Sequence, residues 1–274
     1  MVFIYREEEK SGYGQKRYQI LAAAALVIAL PLVIIFSIIF WFIKPLLILF
    51  GIFVGLAAGA LFVFLKSRSP EIKILDAISA HPADENEYPR FVNLVSNLSL
   101  NAGVAIPDCY YVRDSTRNGM AVAGRNQTAI VLTSGLLECL NLIESEGVIA
   151  ELLVRVKSGD AADATLASAL FGVPIIDKGF TGPLRYLAEI ASDKLLDKDR
   201  ELRADREAIA LTRYPSGLRD ALLKMEQGDI VTTSASEGTD YLWLVPPSTT
   251  SVAKNEETTR ASIGLRIDVL SDEI

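Results

Sequence analysis

The chain has 274 residues, half of them hydrophobic, and a formal net charge of −7. This length is enough for a membrane anchor followed by one domain of ordinary size. The acidic balance, together with the lack of any basic-aromatic patch in the sequence, argues against a nucleic-acid-binding protein. We therefore expect no nucleic acid among its partners.

The hydrophobic excess is concentrated near the N-terminus. The chain is almost entirely apolar from Tyr18 to Ile43, and a second apolar run extends from Leu46 to Leu65. Because about twenty residues cross a bilayer as a helix, both runs are long enough to span it. The pattern predicts a transmembrane helical hairpin over residues 18–65, with a very short turn at Lys44-Pro45, after an N-terminal arm of residues 1–17.

The distribution of basic residues predicts the orientation of this hairpin. Only Lys44 lies between the two spans, whereas both flanks are basic. Since cytoplasmic flanks carry the excess of lysine and arginine, both termini and the domain of residues 66–274 are expected in the cytoplasm. The flanking basic residues are Arg6, Lys10, Lys16 and Arg17 before the hairpin and Lys66, Arg68 and Lys73 after it.

The second span carries Gly51, Gly55 and Gly59 on one helical face. Small residues at this spacing allow helix backbones to approach closely in lipid. One interpretation is packing against the first span of the same chain, and the other is a docking face for another membrane protein or a second copy. The sequence allows both interpretations and favours packing against the first span.

In the cytoplasmic domain the patterns predict two helices, then three consecutive strands, then further helices. Asn141 and Glu144 are spaced as a capping box that opens a helix running to about Val156. The Ser- and Thr-rich residues 228–257 are expected to form a mobile loop that touches a groove. The predicted helices cover 71–80, 86–101, 134–140, 161–176, 184–213, 216–226 and 261–270, and the predicted strands cover 109–113, 120–123 and 128–133.

Two motifs stand in order along the domain: the Glu-Gly-Val-Ile-Ala run that starts at Glu146 and the Arg-Glu-Leu-Arg-Ala-Asp element that starts at Arg200. They resemble motifs of the HtpX-like membrane zinc metallopeptidases. The other matching segments are 118–125, 129–137, 242–247 and 260–270, the last of which corresponds to a family His-Pro-Pro-x-x-x-Arg pattern without its histidine. The resemblance implies an α+β fold: the transmembrane hairpin, then a mainly helical metallopeptidase-like domain with a small antiparallel sheet. It also implies the inner or plasma membrane of a prokaryote.

The family's His-Glu-x-x-His pentad is replaced here by Glu151-Leu-Leu-Val-Arg155. Two histidines four residues apart on one helix face bind zinc, and the glutamate between them is the general base. Leu152 cannot accept a proton, and Arg155 repels a cation. The resemblance places the third zinc ligand at Glu201 and a supporting acid at Asp205. These five positions, Glu151, Leu152, Arg155, Glu201 and Asp205, are therefore predicted to be a vestigial metal site, with no catalytic residue, metal or cofactor.

A buried Glu201 without zinc needs another positive partner. We expect Arg155 to pair with Glu201, Glu151 or both, because Glu151 and Arg155 have the favourable i,i+4 spacing. The alternative is an Arg155 that points to solvent beside a hydrated Glu201.

These observations predict a membrane-anchored pseudopeptidase that acts as a scaffold, a regulator or a subunit of a membrane protein complex. Its partners would be the bilayer and other membrane proteins or a second copy of itself. The resemblance implies an edge strand, Asn118, Gly119, Met120 and Ala121, on which an extended peptide could pair through its main chain. The alternative function is a zinc metalloendopeptidase with an atypical site built from Glu151, Glu201 and His81.

Overall fold

The structure is a computed structural model of a mostly helical chain with one small sheet. Its first two helices are α1 (Val2–Ile43) and α2 (Ile48–Lys66), and α1 includes most of the predicted N-terminal arm. The segments Tyr18–Ile43 and Ile48–Lys66 are long and apolar enough to cross a membrane. The structure describes residues 2–44, 47–172, 199–228, 239, 241–246 and 261–273.

The two apolar helices pack together along the glycine stripe, which we call the glycine seam (Gly51, Gly55 and Gly59). A Cβ atom added at Gly55 would lie 2.5 Å from the Cα of Val33, and one added at Gly59 would lie 2.6 Å from the Cβ of Ala29. All three glycines are buried, whereas the large apolar side chains around them face outward. The stripe therefore serves contact between α1 and α2 of the same chain, as favoured from the sequence.

Helix α3 (Pro70–Ala77) follows the hairpin and is tied directly to the sheet. Glu71 is completely buried, and its Oε1 accepts a hydrogen bond from the backbone N–H of Asn126 at 3.2 Å. Its other carboxylate oxygen occupies the space that a side chain at residue 124 would fill, so a larger residue at Gly124 would displace Glu71. The exit from the membrane helices thus rests on the turn at residues 124–127.

The sheet has four strands in the order β1-β2-β4-β3, with β3 at one edge. Strand β4 pairs antiparallel with β3 but parallel with β2, so the sheet is mixed and not purely antiparallel as predicted. The difference arises because the β3–β4 hairpin folds β4 inward, beside β2. The short β1 has too few residues for a recognisable pattern. The strands are β1 (His81–Pro82), β2 (Asp108–Val112), β3 (Gly119–Ala123) and β4 (Thr128–Thr133).

Helix α6 (Leu142–Ser158) is at the centre of the domain. The capping box at its start is confirmed: Asn141 Oδ1 accepts from Glu144 N at 3.0 Å, and Asn141 N donates to Glu144 Oε2 at 2.8 Å. Gly147 lets the next helical layer approach, since a Cβ atom there would lie 2.6 Å from Leu218 N. The remaining helices are α4 (Pro89–Ala102), α5 (Ser134–Cys139), α7 (Asp160–Ala167), α8 (Arg200–Thr212), α9 (Pro215–Glu226) and α10 (Ile263–Asp272).

Two predicted segments differ from the structure or are described only in part. The predicted helix over 161–176 is α-helical to Ala167 and π-helical over Ser168–Gly172, and its residues 173–176 lie outside the described residues. Only the final part of the predicted helix 184–213 is described, as α8, and its residues 184–198 lie outside the described residues. Most of the predicted loop 228–257 also lies outside them, but residues 241–246 are described.

Candidate functional site

Three helices bring six charged side chains together in the interior, and we call them the charge cluster. Helix α6 places Glu151 and Arg155 one turn apart on the same face. Helix α8 contributes two acidic side chains and one arginine, and α10 contributes another arginine, Arg266. The relative exposure of every member is 6% or less. The members are Glu151, Arg155, Arg200, Glu201, Asp205 and Arg266.

The pair expected between Arg155 and Glu151 is present. Arg155 donates from Nε to Glu151 Oε1 at 2.7 Å and from Nη2 to the same oxygen at 2.5 Å. A hydrogen bond from an ionised donor is stronger than a neutral one. Leu152, between them in sequence, is fully buried in the hydrophobic core. Position 152 is therefore apolar and closed off from solvent.

Arg266 joins the three helices. It binds Asp205 through both arms, with Nε donating to Oδ2 at 2.8 Å and Nη2 donating to Oδ1 at 2.6 Å. The same Nη2 donates to Glu151 Oε1 at 3.3 Å. Such a two-armed contact fixes both position and orientation. Glu151 therefore shares one oxygen between two guanidinium groups, from α6 and α10.

Glu201 has its own arginine neighbour on the same helix. Arg200 Nε donates to Glu201 Oε1 at 3.2 Å, and Arg200 Nη2 donates to the backbone carbonyl of Tyr241 at 2.9 Å. Arg200 therefore takes a role that the sequence suggested for Arg155 towards Glu201. The cluster as a whole contains three cations and three acids.

Burial and pairing act in opposite directions on the ionisation of the cluster. Burial raises the pKa of Glu151, and the neighbouring Arg155 and Arg266 offset this rise only in part. Burial alone would lower the pKa of Arg266, but the contact with Asp205 and the charges of Glu151 and Glu201 raise it. Arg266 consequently remains a cation, and Glu151 is an acid whose buried position favours protonation.

The residues in this site do not fit zinc. The acids that would have faced a metal are hydrogen-bonded to guanidinium groups, which repel a dication. Within the part of the chain that the structure describes, no group of three or more His, Cys, Asp or Glu side chains is arranged to hold a metal ion. Zinc sites normally use nitrogen and sulfur ligands. The single histidine, His81, is exposed on β1, at the edge of the sheet opposite β3.

The edge strand is covered by a segment of the same chain, which we call the strap (residues 241–245). Trp243 lies opposite Met120 in antiparallel pairing, and Leu244 N donates to Gly119 O at 2.7 Å. Asn118, Gly119, Met120 and Ala121 are all buried. A cavity of about 10 Å³ remains between Ala121 and the neighbouring Arg155, Arg200 and Tyr241. This volume is sufficient for about one water molecule.

Sequence reasoning missed Arg200 and Arg266 as members of the site. Arg200 begins the recognised Arg-Glu-Leu-Arg-Ala-Asp element, beside Glu201. Arg266 stands six residues after Arg260, which is the spacing of the arginine in the family's His-Pro-Pro-x-x-x-Arg pattern. Both signals were therefore present in the sequence, but their proximity to Glu151 and Tyr241 appears only in three dimensions.

Comparison with known proteins finds relatives over most of the chain. A protein from Dictyoglomus turgidum called "Protease HtpX homolog" is 30% identical over 230 residues, which cover 74% of this chain and 75% of the relative. Proteins with the same name from Campylobacter concisus and Streptococcus agalactiae are 28% and 23% identical over 233 and 253 residues. These matches cover 72% and 81% of this chain and 81% and 86% of the relatives. No protein-family model matches, and no solved structure matches.

Proposed function

The chain belongs to the HtpX protease family, and from this premise we propose that it is a membrane-anchored homologue without peptidase activity. It serves as a scaffold, a regulator or a subunit of a membrane protein complex. The observation that carries this proposal is the Arg155 guanidinium, which is buried and hydrogen-bonded to Glu151. A permanent organic cation therefore stands where hydrolysis would require a metal ion.

The chemistry of the charge cluster supports the loss of hydrolysis. Metal-dependent peptide hydrolysis requires a polarised water and a base that removes its proton. Leu152 has no basic atom, and Glu151 and Asp205 are both bound to Arg266. A bound zinc ion would have to displace guanidinium groups that keep their charge at all physiological pH values. The cluster instead holds α6, α8 and α10 together.

The membrane anchor supports a role at the bilayer. We place residues 18–65 in the membrane, with the arm of residues 1–17 and the domain of residues 66–274 in the cytoplasm, because basic residues flank the hairpin. Lys66 and Lys73 lie at the cytoplasmic end of α2, where Lys73 Nζ donates to Leu65 O at 2.8 Å. Such lysines suit the headgroup region of the inner membrane of a prokaryote.

Purified full-length protein in detergent tests the loss of activity. We expect substoichiometric zinc by elemental analysis and no casein cleavage that a chelator abolishes. Stoichiometric zinc that disappears in Glu201→Gln together with activity would contradict the proposal.

A restoration variant sharpens this experiment. Glu151→His combined with Leu152→Glu and Arg155→His rebuilds the His-Glu-x-x-His spacing on α6, with Glu201 nearby on α8. We expect this variant to retain more zinc than the wild type. Arg203→His, on the exposed side of α8, adds a histidine outside the cluster and should retain no more zinc than the wild type.

A further inference from the structure

We propose that the strap is an intramolecular strand ligand: it seals the outer edge of β3, and Arg200 and Arg266 latch it to the charge cluster. The edge of β3 is then a binding site for an extended apolar peptide whose resident occupant is the chain's own residues 241–245. This inference goes beyond the proposed function, since the edge is sealed whether or not the site hydrolyses peptides.

The strap makes one antiparallel main-chain bridge with β3, at the place where an added strand would pair. The strap runs antiparallel to β3, with Trp243 opposite Met120, and Leu244 N donates to Gly119 O at 2.7 Å. An extended peptide that joins a sheet edge makes the same contacts, with affinity from main-chain hydrogen bonds and specificity from alternate side chains. The strap thus uses the hydrogen-bonding groups that a peptide would need.

Side chains also hold the strap in place. Asn118 binds both polar groups of the Val245 backbone, with Nδ2 donating to its carbonyl at 2.6 Å and Oδ1 accepting from its N–H at 3.2 Å. Trp243 is fully buried and packs in one cluster with Met120 and Val122, while Leu244 is fully buried in the main core. The strap therefore fills apolar pockets on both sides of the strand edge.

Two arginines connect the strap to the charge cluster. Arg200 Nη2 donates to Tyr241 O at 2.9 Å, and Arg266 Nη1 donates to Leu244 O at 2.8 Å. The remaining arms of these guanidinium groups bind Glu201 and Asp205. Glu201 and Asp205 therefore fix the two arginines that bind the strap at Tyr241 and at Leu244. An incoming peptide has to break these contacts, so its apparent affinity falls in proportion to the open fraction.

Peptide binding to the full-length protein in detergent tests this proposal. The probe is a fluorescent peptide with the sequence of residues 240–246, Asp-Tyr-Leu-Trp-Leu-Val-Pro, and the readout is fluorescence anisotropy. Leu244→Pro removes the N–H that Gly119 O accepts, which frees the edge. We expect this variant to bind the peptide at least about tenfold more tightly than the wild type, equivalent to about 1.4 kcal/mol.

A modified peptide controls for the mode of binding. Methylation of the backbone nitrogen of the second leucine, which corresponds to Leu244, should abolish the gain, because that nitrogen can no longer donate to Gly119 O. Equal binding of methylated and unmodified peptide would overturn the proposal, as would equal binding of the peptide to the wild type and Leu244→Pro.

A matched pair of variants on α8 tests the latch with less risk to folding. Arg200→Lys keeps a positive charge beside Glu201 but loses the arm that reaches Tyr241 O, so peptide binding should strengthen several-fold. Arg203→Lys is the control, because Arg203 binds Asp160 at 3.0 Å with its side chain 40% exposed. An Arg200→Lys variant that binds no better than Arg203→Lys would overturn the latch. Zinc and casein assays do not enter this test, so its failure is distinct from a failure of the proposed function.

Discussion

The glycine seam and the charge cluster both bring helices close together, the first through the absence of side chains and the second through paired charged side chains. In the seam, α1 and α2 approach because three glycines present no side chain. In the cluster, α6, α8 and α10 approach because three acidic side chains are paired with three arginines. Lipid offers no hydrophobic force between helices, so close fit decides there. In the domain interior, a charge is tolerated only when it is paired, so removing one partner is costly.

Arg266→Met should give the largest effect, because it removes the cation that serves both Asp205 and Glu151. Breaking a buried ion pair on one side costs about 3–5 kcal/mol. Urea unfolding of the full-length protein in micelles, followed by tryptophan fluorescence, measures the loss. Arg266→Lys restores the charge without the two-armed geometry and should recover part of the stability. A loss below about 1 kcal/mol for Arg266→Met would show that the cluster is not a structural centre.

Gly55→Leu should have the next largest effect, and it should be confined to the hairpin. The new side chain would collide with the backbone at Val33, and overpacking of this kind costs about 1–3 kcal/mol. The thermal midpoint of the hairpin in micelles, followed by circular dichroism, should fall. Phe53→Leu is the control, since Phe53 is 68% exposed on the outer face of α2. Equal midpoints for the two variants would contradict the seam.

The smallest expected effect is on the pH dependence of the free energy of unfolding, and it comes from Glu151. Its pKa is raised in the folded state, so its contribution to stability is fully present below the ordinary value of 4.5 and is lost as pH rises through the folded pKa. A glutamine at position 151 has no carboxyl group to ionise and lacks this pH dependence. The stability of the wild type relative to Glu151→Gln should therefore decline above pH 4.5 and then level off. Urea unfolding of both proteins from pH 4 to 9 tests this expectation.

If the stability of the wild type relative to Glu151→Gln instead grows with pH, the two arginines outweigh the effect of burial. Glu151 is then held in its ionised form, as the acid of an exposed ion pair would be. Glu144→Gln is the control, because Glu144 lies outside the charge cluster and is bound by Lys224 at 2.7 Å.

Local patterns in the sequence predicted local structure well. The limits of β4, the capping box at Asn141 and the pair between Glu151 and Arg155 depend on residues at most five positions apart, so the spacing alone contains the information. The π-helix after Ala167 and the two-residue β1 gave no such signal. The parallel pairing of β2 with β4 depends on which strand of a hairpin turns inward, which a linear pattern does not encode.

Long-range contacts in the candidate site could not be predicted in the same way. Arg266 binds Asp205 across 61 positions of the sequence, and Asn118 binds Val245 across 127. The apolar run Tyr241–Val245 inside a polar loop was a visible signal of contact with the groove. Its pairing with β3 could not be predicted, because this requires knowing which strand lies at the edge of the sheet. The sequence gives the order of the strands along the chain, not their order in space.

The contact of Glu71 with the turn that joins β3 to β4 has a mechanical consequence. Only residues 67–69 separate the membrane helix α2 from α3, and the second residue of α3 already rests against Gly124 and Asn126. A tilt of the hairpin, caused by bilayer thickness or by a neighbouring protein, would therefore act on the turn at residues 124–127 through a connection of only three residues. Movement of the hairpin would in this way reach β3, the strand that the strap covers.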